Sequence, residues 1–154
     1  IEDRIAQVTQ EAYDNGDYIF VAMDRHDEGD TFHPETKLFP PHNIAGTSGR
    51  ELYGKLAGVY DAIKDDNRVF WMDKRHYSAF SGTDLDIRLR ERRVTTVVLT
   101  GVLTDICVLH TAIDAYNLGY DIEVVASATA SLTPEAHDFA IGHFKNVLGA
   151  TIVE

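Results

Sequence analysis

The apolar residues of this chain alternate between a helical spacing and the short runs that are typical of strands. Over residues 1–16 they recur every three or four positions, and the run YIFVAMD (18–24) that follows is short, apolar and bounded by charge. The same order recurs further along the chain, where helical spacing over 52–63 is followed by the apolar run RVFWM (68–72). Each pair predicts a helix followed by a strand.

The second half of the chain continues this alternation. The predicted elements are, in order, a short helix (84–92), the strand VTTVVLTG (94–101), a helix (105–118), the strand IEVVAS (122–127), a helix from Pro134 to about Gly149, and the strand ATIV (150–153). Strands that alternate with helices pair in parallel, and the helices cover both faces of the sheet. The pattern predicts one Rossmann-like α/β domain, a three-layer α/β/α sandwich with a mostly parallel central sheet.

The segment 24–49 interrupts the pattern with a long stretch that has no periodicity. Such stretches are uncommon in compact domains and are often functional, and this one is rich in Asp and His. Asp24 and His26, two positions apart at a strand end, can point to the same side of an extended backbone, and His42 follows a stiff Pro-Pro pair. The alternative is a polar surface loop whose histidines are incidental.

A mixed nitrogen and oxygen site of this kind suits Zn²⁺, Fe²⁺ or Mn²⁺. His33 and Glu35 compete for the remaining ligand position. Neither spacing matches a standard zinc motif, so the pattern leaves the choice open.

Cys107 is the only cysteine, and it lies where the predicted strand 94–101 turns into a helix. Amides at a helix N-terminus favour a thiolate, and Lys74, at the end of the strand 68–72, adds a positive charge at the same rim. Ligands bind at this rim in parallel α/β sheets. The alternative for a lone cysteine is a small buried hydrophobe.

Charge and composition exclude several classes of partner. The formal net charge of −11 argues against nucleic acid or an anionic membrane surface, and the basic run RLRERR (88–93) reads as the solvated face of a helix. No apolar run is long enough to span a bilayer, no secretory signal opens the chain, and one cysteine forms no intramolecular disulfide. We therefore expect a cytoplasmic protein.

Four motifs together resemble the isochorismatase-like cysteine hydrolases. They are DRH (24–26), FPPH (39–42), Lys74 with YSAFSGTDLD (77–86), and GVLTDICVLHTAIDA (101–115). The Asp-x-His and Pro-Pro-His pair resembles the nicotinamidase/pyrazinamidase branch. The resemblance runs along the whole chain and implies hydrolysis of nicotinamide to nicotinate and ammonia, in salvage of the pyridine nucleotide NAD.

The resemblance also implies roles for the residues at the thiol. Cys107 corresponds to the nucleophile that forms a thioester, and Lys74 to the lysine that stabilises charge beside it. The Val102–Leu103 peptide corresponds to a cis bond of the family, and the amides of Leu103 and Cys107 to its oxyanion hole.

In the segment 24–49 the resemblance implies a metal site. Asp24, His26 and His42 correspond to metal ligands, and Glu35 to the carboxylate ligand of some bacterial relatives, whereas His33 corresponds to the ligand of relatives with a third histidine. Of these two, Glu35 is the expected ligand. The metal, zinc in the first place and iron or manganese otherwise, is expected to bind the pyridine nitrogen.

Two aromatic residues correspond to positions that flank the substrate ring, namely Phe39 and Tyr77, for which ordinary packing is the alternative. The other aromatic and histidine side chains are interpreted as structural or solvent-facing, namely Phe70, Trp71, Phe80, His76, His110, His137 and His143.

One departure from the family concerns its general base, an aspartate at the end of a first strand that precedes the first helix. This sequence begins inside that helix, and neither Asp3 nor Asp105 is placed to substitute. We expect residues 1–154 to be a single, N-terminally incomplete domain, and loss of a general base lowers turnover by about 10²- to 10⁴-fold.

Two alternatives to a nicotinamidase remain open from the sequence. One is a related cysteine amidohydrolase with another amide substrate, and the other is a non-catalytic member that binds a small molecule or senses oxidants through Cys107. A homo-oligomer is compatible with the sequence, which contains no coiled-coil pattern.

Overall fold

A computed structural model describes residues 1–154 and contains five α-helices and five β-strands in alternation. The elements are α1 (Glu2–Asn15), β1 (Ile19–Asp24), α2 (Gly54–Ile63), β2 (Val69–Lys74), α3 (Leu85–Glu91), β3 (Thr96–Val102), α4 (Leu109–Leu118), β4 (Asp121–Ala130), α5 (Pro134–Asn146) and β5 (Thr151–Val153). Each predicted helix and strand is present, and its ends lie within a few residues of the predicted ones.

Local sequence explains where several helices begin and end. Gly16 ends α1 in the left-handed conformation (φ 88°), which glycine adopts without a steric penalty. Thr133 caps α5 by accepting a hydrogen bond from the amide of Ala136, and Pro134 occupies the first helical position, where no amide is needed. None of the helices is both long and apolar enough to cross a membrane.

The strands pair in parallel, as predicted, but in two groups. β1 pairs with β2 from Ile19 opposite Val69 to Asp24 opposite Lys74, and β3, β4 and β5 form a second sheet in that order. β1 and β3 are thus each hydrogen-bonded to a strand on one side only.

One hydrophobic core joins the two groups of strands. Met72 of β2 and Val124 of β4 belong to the same buried cluster as Ala112 of α4 and Phe144 of α5. The carboxyl ends of β1, β2 and β3 thus stand in a fixed relation to one another, at the rim where the sequence places the candidate chemistry.

Candidate active site and metal centre

The parallel register of β1 and β2 brings their last residues together. Asp24 lies opposite Lys74, and the Lys74 Nζ donates a hydrogen bond to Asp24 Oδ1. Nζ also donates to the His76 carbonyl at 3.0 Å and lies 3.6 Å from the Cys107 Sγ. Lys74 is only 5% exposed, so this ammonium group is held by fixed partners rather than by solvent.

Cys107 lies in a π-helical turn, Thr104–Val108, which connects β3 to α4. The predicted helix over 105–118 thus begins with a wider turn, and π-helical turns are frequent at functional sites. The Val102–Leu103 peptide that leads into the turn is cis.

Two side chains from neighbouring segments hold this turn in place. The Ser131 hydroxyl donates to Asp105 Oδ1 at 2.5 Å and accepts from the Asp105 amide at 3.3 Å. Thr104, which is fully buried, shares a hydrogen bond of 2.9 Å with the Nδ1 of His137 on α5. His137, interpreted from the sequence as structural or solvent-facing, thus contacts the turn that contains Cys107.

The environment of the Cys107 thiol has opposing effects on its pKa. Burial raises the pKa of Cys107 above its ordinary value, the nearby Lys74 ammonium lowers it, and the Asp24 carboxylate raises it again. The net direction is upward, so desolvation outweighs the lysine. Lys74 lowers the thiol pKa, as predicted from the sequence, but burial raises it by more.

Two overlapping groups of side chains near Lys74 and Cys107 could bind a metal ion, and together they form the metal-ligand cluster. Ligand atoms of Asp24, His26 and His42 lie within 4.8 Å of one another, and so do those of His26, His33 and Glu35. The Glu35 Oε2 is 3.7 Å from the His26 Nε2 and 3.5 Å from the His42 Nε2. The structure thus brings all five predicted candidates into one cluster.

A short backbone pairing explains how distant parts of the segment 24–49 meet. His26 forms an isolated parallel bridge with Ile44, in which the His26 amide donates to the Asn43 carbonyl and the Ala45 amide donates to the His26 carbonyl. This pairing folds the loop back on the end of β1 and places His42 beside His26, with their ring centroids 4.5 Å apart.

The protonation chemistry of the cluster fits a cation. The His26 Nε2 is buried without a hydrogen-bond partner, and burial lowers the pKa of His26, which favours the neutral imidazole that binds metals. The His42 Nδ1 lies 2.8 Å from the Pro40 carbonyl; a proton on Nδ1 leaves Nε2 free. An orphaned imidazole nitrogen beside a buried carboxylate is the donor set expected for a divalent metal ion.

Phe39 and Tyr77 each pack against a histidine ring. The Phe39 ring meets the His42 ring edge to face with centroids 6.2 Å apart, and Tyr77 packs on His110 at 5.1 Å. Burial and the charges of Glu35, Cys107 and Asp24 raise the pKa of Tyr77. The Tyr77 hydroxyl is therefore close enough to the thiol and to the metal-ligand cluster for their charges to affect its pKa.

Sequence reasoning missed two arginines that support the site. The Arg50 Nε donates to the Asp24 carbonyl at 2.9 Å while its Nη2 contacts Asp73, and Arg75 contacts Asp27 and Asp30. These pairs depend on how the loop folds back, so no spacing along the chain indicates them.

Comparison with known proteins identifies the family. The family model for the isochorismatase domain matches residues 1–153. The chain belongs to the isochorismatase family. A pyrazinamidase/nicotinamidase from Streptococcus mutans UA159 is 78% identical with a TM-score of 0.97, and the match covers 99% of this chain and 84% of that protein.

Two further solved structures are similar to this chain. A nicotinamidase/pyrazinamidase from Bacillus subtilis is 54% identical with a TM-score of 0.97, covering 99% and 84% of the two chains. A pyrazinamidase from Pyrococcus horikoshii, solved in complex with zinc, is 27% identical with a TM-score of 0.83, covering 99% and 86%. The predicted fold class, the nicotinamidase/pyrazinamidase branch and the amidohydrolase class are confirmed.

Proposed function

We propose that this protein is a metal-dependent nicotinamidase, which hydrolyses nicotinamide to nicotinate and ammonia. The observation that carries the proposal is the shared carboxylate of Asp24, which accepts from the Lys74 ammonium next to Cys107 and also belongs to the metal-ligand cluster. A nucleophile and a ring-binding site are thereby adjacent. The nicotinate produced feeds salvage of NAD.

In the first step, the Cys107 Sγ attacks the carboxamide carbon and the C–N bond breaks. The thiol proton leaves with the amine as ammonia, and the acyl group stays on sulfur as a thioester. Water then hydrolyses the thioester, which releases nicotinate and restores the thiol. Since the buried thiol has a raised pKa, Lys74 acts by stabilising negative charge on sulfur as it develops.

The developing oxyanion needs donors that are in place before the reaction. We assign this role to the backbone amides of Leu103 and Cys107. Leu103 directly precedes the π-helical turn, and Cys107 lies within it. The hydrogen bonds that Asp105 makes with Ser131 keep the turn from shifting as charge develops.

We assign the metal ligands to Asp24, His26, Glu35 and His42. Two imidazoles and two carboxylates suit zinc, and they also accept iron or manganese. Zinc is favoured here because the Pyrococcus horikoshii relative was solved in complex with it. When bound, the metal would hold the pyridine nitrogen and so orient the carboxamide toward Cys107. Phe39 and Tyr77 flank the planar ring.

The test compares three amides of different shape in an ammonia-release assay. Nicotinamide should be hydrolysed, whereas benzamide, which has the same shape without the ring nitrogen, should be a poor substrate. An N-carbamoyl compound tests the related amidohydrolases. Equal turnover of nicotinamide and benzamide would contradict the ring-nitrogen role, and preference for the N-carbamoyl compound would contradict the proposed substrate.

A further inference from the structure

We propose that His33 and Arg75 form a latch that fixes the segment 24–49, the metal loop, on the end of β2. In this latch His33 is a positioning residue for Glu35 and does not bind the metal. The inference rests on the proposed metal site, because it explains how one of the ligands of that site is held.

Both ring nitrogens of His33 are engaged by the backbone. The Nδ1 accepts from the Glu35 amide at 3.3 Å, so the proton is on Nε2, which donates to the Arg75 carbonyl. His33 is 6% exposed, and its ring lies between those of His26 and His76, with centroids 4.7 and 5.6 Å away. As a metal ligand, His33 would have to give up one of these two hydrogen bonds.

Glu35 has the opposite arrangement. The Glu35 amide donates a hydrogen bond to His33, and the residue as a whole is only 6% exposed. Its carboxylate faces the imidazoles of His26 and His42. The same hydrogen bond caps the short 3₁₀ turn Pro34–Lys37, which carries Glu35. The backbone contact thus orients the carboxylate, which is how outer partners commonly support a metal site.

Arg75 holds the same loop through its side chain. Its guanidinium donates to Asp27 Oδ2 at 2.5 Å and to Asp30 Oδ2 at 2.6 Å. The other Asp30 oxygen accepts from the amides of Phe32 at 3.0 Å and His33 at 3.2 Å. A single arginine therefore contacts the loop at two carboxylates and, through its carbonyl, at the His33 ring.

The position of Arg75 gives the latch its consequence for the site. Arg75 directly follows Lys74, whose ammonium contacts Asp24 and lies 3.6 Å from the Cys107 Sγ. The backbone that carries the lysine thus also fixes the loop with Glu35. The latch sets the distance between the metal-ligand cluster and the thiol without any bond to the metal.

The test measures metal affinity in full-length variants, by competition of Zn²⁺ with a chromophoric chelator. His33→Ala should weaken zinc binding by about 10- to 100-fold while keeping one ion per chain, as removal of outer partners does. His33→Gln, whose amide can both donate and accept, should recover most of the affinity. Arg75→Gln should weaken binding in the same direction, and Arg88→Gln, which removes an exposed ion pair on α3, should not.

A spectroscopic readout separates positioning from ligation. In Co²⁺-substituted protein, the absorption bands of His33→Ala should keep the wild-type positions, because the ligand set is unchanged. A band shift common to His33→Ala and His33→Gln, or unchanged zinc affinity in both, would overturn the latch. If the wild-type protein binds no metal at all, the proposed function fails together with the latch. Thermal unfolding of the metal-free variants verifies that each is folded.

Discussion

Asp24 accepts a hydrogen bond from the buried ammonium of Lys74, and it is also one of the side chains that could bind a metal ion. The parallel register of β1 and β2 produces this relationship, because it places the last residues of the two strands opposite each other. Lys74, next to the Cys107 thiol, and the metal-ligand cluster therefore share one carboxylate. Substitution of either Asp24 or Lys74 should therefore affect both metal binding and the reactivity of the Cys107 thiol.

The pH dependence of Cys107 alkylation tests the environment of the thiol. Because burial raises its pKa, the rate of labelling by iodoacetamide should rise with a midpoint above that of a free cysteine, about 8.5. Lys74→Gln removes the charge that stabilises the thiolate, so its midpoint should be higher still. A wild-type midpoint below that of free cysteine would contradict the dominance of burial.

Removing the nucleophile should separate catalysis from metal binding. Cys107→Ala should reduce ammonia release from nicotinamide to background, since no other residue can form the thioester. Metal content, measured by elemental analysis, should match that of the wild type because Cys107 is not in the metal-ligand cluster. Retained turnover would refute the assignment of the nucleophile.

Glu35→Gln tests the choice of the fourth ligand. The substitution keeps the size of the side chain and removes its charge, so zinc affinity should fall by about 10-fold or more, since a neutral amide is a much weaker zinc ligand than a carboxylate. Glu28→Gln, on an exposed residue of the same loop, is the matched control and should leave affinity unchanged. Equal affinities in the two variants would exclude Glu35 as a ligand.

Ionisation of Tyr120 should make the free energy of unfolding fall as the pH rises above 10. Burial and the hydrogen bond to Asp86 raise its pKa to about 12 from the ordinary 10.0. The folded state therefore retains a proton that the unfolded state loses, and the free energy of unfolding should fall by about 2 kcal/mol between pH 10 and 12. Tyr120→Phe should lack this part of the decline in denaturant titrations, and an equal decline in both proteins would contradict the shift.

The order of helices and strands could be predicted from the sequence because the core imposes its periodicity on each element. The parallel pairing within each group of strands followed from the same alternation of helices and strands. The strand ends at Asp24 and Lys74 were predictable because charged residues follow the apolar run of each strand.

The metal-ligand cluster could be predicted only in part. Residue chemistry indicated Asp24, His26 and His42. It did not reveal that both ring nitrogens of His33 are hydrogen-bonded, one to the nearby Glu35 amide and the other to the distant Arg75 carbonyl. The sequence indicated that Lys74 lowers the thiol pKa, but it did not reveal the depth of burial, which raises that pKa and is the larger effect.

The most direct test of the central claim is nicotinamide turnover before and after complete removal of metal. We predict that chelation to metal-free protein, verified by elemental analysis, abolishes ammonia release from nicotinamide, and that one equivalent of Zn²⁺ per chain restores it. Turnover that is unchanged in verified metal-free protein would contradict the roles assigned to Asp24, His26, Glu35 and His42.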